Sequence, residues 1–168
     1  MDIKVDHVSK AYGEQQILRD LCCVFPEGKT TCIRGRSGCG KTTLIRLLLG
    51  LDIPDKGKIE GISDRKISAV FQEDRLCENL SAASNIRLVC TETISDRELE
   101  EAYKAVALQK PVRELSGGMR RRVSILRALL ADSDCVIMDE PLRGLDEKTR
   151  TKTIDYILKK TEGKTLIF

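Results

Sequence analysis

Residues Gly35, Arg36, Ser37, Gly38, Cys39, Gly40, Lys41 and Thr42 fit the pattern G-x-x-x-x-G-K-[ST], a phosphate-binding loop. Few short motifs restrict a fold as tightly, because this one works only between a strand and a helix. Ahead of it, Thr31-Cys32-Ile33 reads as a buried strand. Behind it, Leu44, Leu47, Leu48 and Leu51 recur at helical spacing. Glycines let the chain turn tightly, so that successive N–H groups converge on an anion at the positive end of the helix. Lys41 adds a full charge for β- and γ-phosphates, and the Thr42 hydroxyl can ligate Mg²⁺. The plainer reading is a glycine turn capping a helix; the flanking strand and helix weigh against it.

The rest of the chain must therefore supply a sheet. With 168 residues, 41% of them hydrophobic and 33% charged, it is long enough for one domain with a core and a small appendage. Arg46 interrupts the best candidate for a membrane span, and Met1-Asp2-Ile3-Lys4 does not resemble a signal peptide. A formal charge of +3 is too small to imply a nucleic-acid partner. Seven cysteines, no C-x-x-C pair and a single histidine, His7, argue against zinc. Several cysteines fall in apparent buried strands and read as free thiols of a reducing cytoplasm.

In chain order, Ile3 to Val8 and Ile17 to Phe25 read as strands separated by a turn at Tyr12-Gly13-Glu14. Tyr12 could stack on a base or sit as a half-buried edge tyrosine. Pro54-Asp55-Lys56-Gly57 reads as a turn, Lys58 to Glu60 and Ile67 to Phe71 as strands, the last ending on Gln72. A glutamine there can reach a metal or an attacking water, or be an ordinary surface amide.

From about residue 75 to 115 strand signals vanish. Ser95-Asp96-Arg97-Glu98 is a capping box, and Leu99, Ala102, Tyr103, Val106 and Ala107 follow as an amphipathic helix ended near Pro111. Leu115-Ser116-Gly117-Gly118-Met119 comes next, with Met119, Val123, Leu126 and Leu130 at helical spacing. It is a second phosphate-binding arrangement or a plain N-cap serine. Arg120, Arg121 and Arg122 read as a solvated or partner-facing surface. Cys135 to Met138 is a continuous apolar strand ending in Asp139-Glu140-Pro141, where ligands bind in open α/β sheets. Asp139 suits a metal, and Glu140 suits the deprotonation of a water. Asp146 opens a helix carrying Ile154, Ile157 and Leu158, and Thr165 to Phe168 is the last strand.

These pieces, in this order, resemble the ATP-binding cassette of ABC transporters over essentially the whole chain. The matching residues are the loop 35–42, Gln72, Leu-Ser-Gly-Gly at 115–118, Asp139-Glu140 and Leu145-Asp146. Val70 to Leu76 also resembles the nitrate, sulfonate and taurine importers. The resemblance implies an α/β fold: a P-loop NTPase core with a mostly parallel sheet, an N-terminal antiparallel β-subdomain and a small helical insertion. It implies one cassette domain over 1–168, short at its C-terminus, with a helical subdomain at about 75–131.

It also implies roles. Tyr12 stacks on adenine, and residues 35–43, ending at Thr43, hold the triphosphate of ATP. Thr42 and Gln72 hold Mg²⁺ with Asp139 behind it, and Glu140 is the catalytic base assisted by Gln72. Leu115, Ser116, Gly117, Gly118 and Met119 form the signature that meets the γ-phosphate held by the opposite subunit, with Asp146 at the interface. The implied assembly is a homodimer or paired cassette that drives a separate membrane permease from the cytoplasmic face.

Three features depart from the pattern. Met119 replaces the usual glutamine, Arg143-Gly144 replaces small residues, and the stretches 43–72 and 72–115 are short. The family also uses a histidine just past the strand at 165–168; the sequence stops there, and slow hydrolysis by these 168 residues is the expectation. A soluble cassette outside transport, or an ATP-binding regulatory cassette with weak hydrolysis, is the alternative function.

Overall fold

The computed structural model describes residues 1–90 and 108–168. The capping box expected at 95–98 and the amphipathic helix expected from Leu99 to Ala107 lie outside the described residues. The chain divides into two compact units: Met1–Ala69 with Ser133–Asp139 and Thr161–Phe168, and Val70–Asp132 with Glu140–Lys160.

The first unit holds an antiparallel sheet of β1 (Ile3–Tyr12), β2 (Gln15–Phe25) and β4 (Lys56–Glu60), in the order β2-β1-β4. Lys56 and Gly57, expected in a turn, are the first residues of β4. The second sheet has the order β3-β7-β6-β5, from β3 (Thr30–Thr31), β5 (Ile67–Val70), β6 (Cys135–Met138) and β7 (Thr165–Ile167). Both β3–β7 and β6–β7 are parallel. Although β3 is shorter than expected, Ile33 N–H donates to the Phe168 carbonyl at 2.6 Å, so the ladder still runs to the edge of the loop. Every residue of β6 is buried, as a parallel strand covered on both faces requires.

Helix α1 (Lys41–Leu48) buries Leu44, Ile45, Leu47 and Leu48 in a core shared with Ile3, Val5, Val8, Leu18, Phe25, Ile137 and Ile167. Each such side chain contributes roughly 1.5–3 kcal/mol of gross burial. The helix stops where Gly50, at φ +65°, turns left-handed; Gly50 N–H returns to Leu47 and Leu51 N–H to Arg46. Leu51, expected on the helix's apolar face, thus lies beyond its end and is exposed.

In the second unit, α2 (Ala82–Arg87) and α3 (Gly117–Leu130) pack with Leu108, Val112 and Leu115. A 3-10 turn, Val112–Glu114, leads towards α3. Ser81 caps α2 by accepting the Ser84 N–H, and the fully buried Asn85 side chain bonds both Cys77 N–H and Cys77 carbonyl, closing the turn before the helix. Helix α4 (Glu147–Lys160) buries Thr153 and Ile157 but leaves Ile154 and Leu158 exposed, so its expected apolar face is narrower. No helix among the described residues is long and apolar enough to cross a membrane.

Candidate nucleotide site

In the first unit the loop 35–42 runs from the end of the β3 ladder into α1. Gly38 and Gly40 have φ of +78° and +96°. At Gly40 the requirement for glycine is double: a Cβ there would lie 2.8 Å from Leu18 Cδ2 and 3.0 Å from Ile17 Cγ2. Strand β2 thus presses directly on the loop. The N-terminus of α1 has no side-chain cap and no acidic residue in its first turn. Its first N–H groups have no intrahelical partners by geometry, so the positive end of the helix is left for an anion. Lys41 folds back over the loop, its Nζ 2.9 Å from the carbonyls of both Gly35 and Arg36. Cys39 Sγ lies against Gly35, only 2.5 Å from where a Cβ on that residue would stand. Thr42 is exposed and Thr43 buried.

Also in this unit, Asp139 continues β6 and is only 4% exposed. Tyr12 is exposed at the end of β1, its hydroxyl donating to the Asp52 carboxylate, which also receives Arg46 Nε at 3.2 Å. Lys10 Nζ lies 5.5 Å from the tyrosine ring centre and 3.1 Å from Asp55. The ring is thus held by its hydroxyl, with the Lys10 ammonium over it. These contacts keep the Asp52 carboxyl below the usual carboxylate range, the Tyr12 hydrogen bond foremost.

The donor set fits a triphosphate and its cation. An uncapped helix start, a glycine that a Cβ would obstruct, a lysine beside the loop and oxygen ligands of hydroxyl and carboxylate type suit phosphate and a hard divalent ion.

The second unit carries Gln72, the 115–119 segment, Glu140 and Asp146. Gln72 and Glu140 are exposed. Their backbones meet on one side chain, Arg121. It was expected on the surface and is instead 4% exposed. Its guanidinium donates to the carbonyls of Phe71 at 2.5 Å, Glu140 at 2.6 Å and Pro141 at 3.1 Å, and reaches Gln72 carbonyl and Asp74 carboxylate at 3.4 and 3.3 Å. The signal that could have revealed it is a second helical stripe. Arg121, Ile125 and Ala128 stand at i, i+4 and i+7 and are all buried. Glu140 has φ +48°, a left-handed conformation that costs a non-glycine residue on the order of 1 kcal/mol. Its carboxylate lies 3.7 Å from Arg143.

Ser116 is the N-cap of α3, accepting the Met119 N–H at 3.3 Å, and Asp146 likewise accepts the Thr149 N–H at 3.0 Å ahead of α4. The plainer capping readings of both residues are therefore realised in the structure. Met119 packs against the helical core beside Val123 and Leu126. Leu115 is buried there too. Gly117 is different: a Cβ on it would meet nothing within 4 Å, and on Gly118 only ordinary contacts. Nothing described in the chain itself demands glycine at 117. The small residues leave an open surface at the head of α3.

The expectation of buried cysteines is corrected. Cys22, Cys32, Cys39 and Cys77 are exposed, Cys23 and Cys90 half-buried and only Cys135 buried, all of them free thiols. Only Cys22, Cys23 and Cys135 lie in strands; Cys32, Cys39, Cys77 and Cys90 stand in loops or turns.

The family model described as ABC transporter matches residues 18–143. The chain is 35% identical over 169 aligned positions to the aliphatic sulfonates import ATP-binding protein SsuB 1 of Rhizobium johnstonii, covering 92% of this chain and 62% of that protein. It is 36% identical to the sulfate/thiosulfate import ATP-binding protein CysA of Gloeobacter violaceus, covering 89% and 49%. The chain thus spans about half to three-fifths of the length of these curated relatives. Among solved structures, an ABC transporter ATP-binding protein of Pyrococcus furiosus superposes with a TM-score of 0.85 at 24% identity, over 99% of this chain and 90% of its own. The ATP-binding cassette MJ0796, dimeric and bound to ADP and Pi in a post-hydrolysis state, superposes with a TM-score of 0.84 at 28% identity, over 98% and 86%. With an α/β P-loop fold, an antiparallel sheet beside the parallel one and a match spanning most of its length, this chain belongs to the ABC transporter family.

Proposed function

We propose that this chain is the ATP-binding and ATP-hydrolysing subunit of an import-type ABC transporter, working as a head-to-tail dimer on a separate membrane permease at the cytoplasmic face. The observation that carries the reading is the loop at 35–42, with its uncapped helix start, its obligatory glycine at 40 and Lys41 folded over the Gly35 and Arg36 carbonyls.

The N–H groups at the start of α1 receive the phosphates, and Lys41 moves from the loop carbonyls onto them. Tyr12 offers a ring face to the adenine. Thr42, Gln72 and Asp139 are the residues that would hold Mg²⁺; when bound, the ion would offset the charge of the phosphate oxygens. Glu140 takes the proton of the water that attacks the γ-phosphorus, as the bond to the ADP oxygen breaks and ADP and phosphate leave. Ser116, Gly117 and Gly118 of a second copy close over the γ-phosphate, and the open surface above Gly117 supports that assignment. Asp146 lies at that interface, and the curated relatives, import ATP-binding proteins for aliphatic sulfonates and for sulfate/thiosulfate, support the import reading.

The test pairs equilibrium binding of ATP with affinity capture from membranes. ATP binding that is lost in Lys41→Ala, together with co-purification of one integral membrane chain, is the expected result. Equal ATP binding by the Lys41→Ala protein would remove the site, and recovery of the protein entirely free of membrane chains would favour the soluble cassette.

A further inference from the structure

Strand β1 does not alternate regularly. Its buried positions are Ile3, Val5 and then Val8, one residue out of phase. The register explains this: Val5 pairs with Cys23 and Val8 with Leu21, so Asp6 and His7 together oppose Cys22. The next stretch compensates, since Val8 pairs with Leu21 and Lys10 with Leu18, leaving Ser9 against Arg19 and Asp20. The two bulges put His7 and Asp20 both at φ +49°. Asp20 N–H is held by the Ser9 hydroxyl at 3.0 Å. Gly57 of β4 is pressed to the bulge so closely that a Cβ would fall 2.3 Å from the His7 carbonyl.

This double bulge gathers side chains that plain alternation would separate. Potential ligand atoms of Asp6, His7 and Cys22 all lie within 4.8 Å of one another. His7 Nδ1 is 2.7 Å from Asp20 Oδ1. An ionised carboxylate only accepts, so Nδ1 carries a proton and Nε2 is the ring nitrogen a metal would take. Nε2 lies 3.9 Å from Asp6 Oδ1. Cys22 Sγ accepts the His7 backbone N–H at 3.2 Å, which fixes the sulfur beside the histidine. A carboxylate that orients a histidine through one ring nitrogen, with the other turned toward further ligands, is the outer-shell arrangement of protein zinc sites.

We propose that Asp6, His7 and Cys22 bind a borderline divalent transition metal, Zn²⁺ in the first instance, with Asp20 positioning His7 and water filling the fourth place. Ligand atoms of a tetrahedral Zn²⁺ stand roughly 3.3–3.8 Å apart, given bond lengths of about 2.0–2.3 Å. From separations of 4.8 Å at most, the side chains reach that spacing by closing about 1.5 Å or less. The mixed sulfur, nitrogen and oxygen set selects against Mg²⁺, which takes oxygen ligands in octahedral geometry. The site is separate in sequence from the loop at 35–42, and its occupancy does not depend on nucleotide.

The test is titration of the nucleotide-free chain with Co²⁺, under a non-thiol reductant, followed by absorption. The expected result is a thiolate-to-cobalt charge-transfer band saturating at one ion per chain, reversed by Zn²⁺ and not by Mg²⁺. Cys22→Ser should abolish the band, whereas Cys32→Ser and Cys77→Ser, at two other exposed thiols, should leave it. Asp20→Asn should retain the band but weaken affinity about 10- to 100-fold, as loss of an outer-shell partner does. Circular dichroism of each variant confirms that the fold is kept. Zn²⁺ should also raise the melting temperature of the wild-type chain and not that of Cys22→Ser. Absence of the band, its persistence in Cys22→Ser, or unchanged affinity in Asp20→Asn would each overturn the proposal.

Discussion

Arg121 Nη2 donates to the backbone carbonyl of Glu140 at 2.6 Å, and the residue so held is the one at the end of β6 with a left-handed backbone. The same guanidinium holds the Phe71 carbonyl, one residue before Gln72. A single buried cation therefore holds the two segments that carry Gln72 and Glu140, the residues proposed for the chemistry. Arg121 is a positioning residue: it offers its donors to carbonyls and leaves the chemistry to others. In Arg121→Lys the fork is lost but the charge remains. Turnover is expected to fall about 10-fold or more with ATP affinity unchanged, read by phosphate release against equilibrium binding. In Arg121→Met several buried carbonyls lose their donor at about 1–3 kcal/mol each. That variant should unfold at lower urea, with at least ~3 kcal/mol less stability.

Glu140→Gln keeps the length of the side chain and removes the base. With Mg-ATP it should elute as a dimer, whereas the nucleotide-free protein elutes as a monomer. Gly117→Leu places bulk on an open surface, with nothing within 4 Å to disturb in the chain itself. It should leave folding intact and prevent the ATP-dependent dimer. An unchanged elution position of Glu140→Gln with ATP at high protein concentration would count against the head-to-tail arrangement.

Thiol chemistry separates the cysteines by place. Cys39 is exposed within the phosphate loop, so a maleimide should block ATP binding, and bound ATP should protect against it. Cys39→Ala should resist. Cys135 is fully buried in β6, and burial pushes its thiol up to about 11. It should label only after unfolding, which mass spectrometry of peptides from native and urea-treated protein can decide.

Acid stability should carry the mark of Asp52. Its native pKa lies below the unfolded value, chiefly through the Tyr12 hydroxyl with Arg46 and Lys10 beside it, so the unfolded chain binds the proton more readily. The stabilisation is fully present above about pH 4, the ordinary aspartate range, and is lost as pH falls through the depressed value. Asp52→Asn should flatten the fall of the urea midpoint below about pH 4. An unchanged slope would mean the network is too well solvated to matter.

The elements legible from sequence were those whose geometry is decided within a few residues. The loop at 35–42 could be read because its glycines, lysine and threonine act through local backbone shape and a helix start. The apolar run Cys135 to Met138 could be read as a buried strand because every residue of it is covered, and Asp139 follows from where it stops. What only the tertiary structure decided depends on partners far along the chain. Three successive arginines look alike in sequence; Arg121 alone is buried, because its acceptors lie about 50 residues upstream and 20 downstream. The bulges at His7 and Asp20 depend on how β1 and β2 align, and a one-residue slip between paired strands moves side chains to the other face. A chain with one histidine and no C-x-x-C pair therefore gave no sign of the cluster at His7. The cluster exists through strand register, which hydrophobic patterning specifies on the buried face alone.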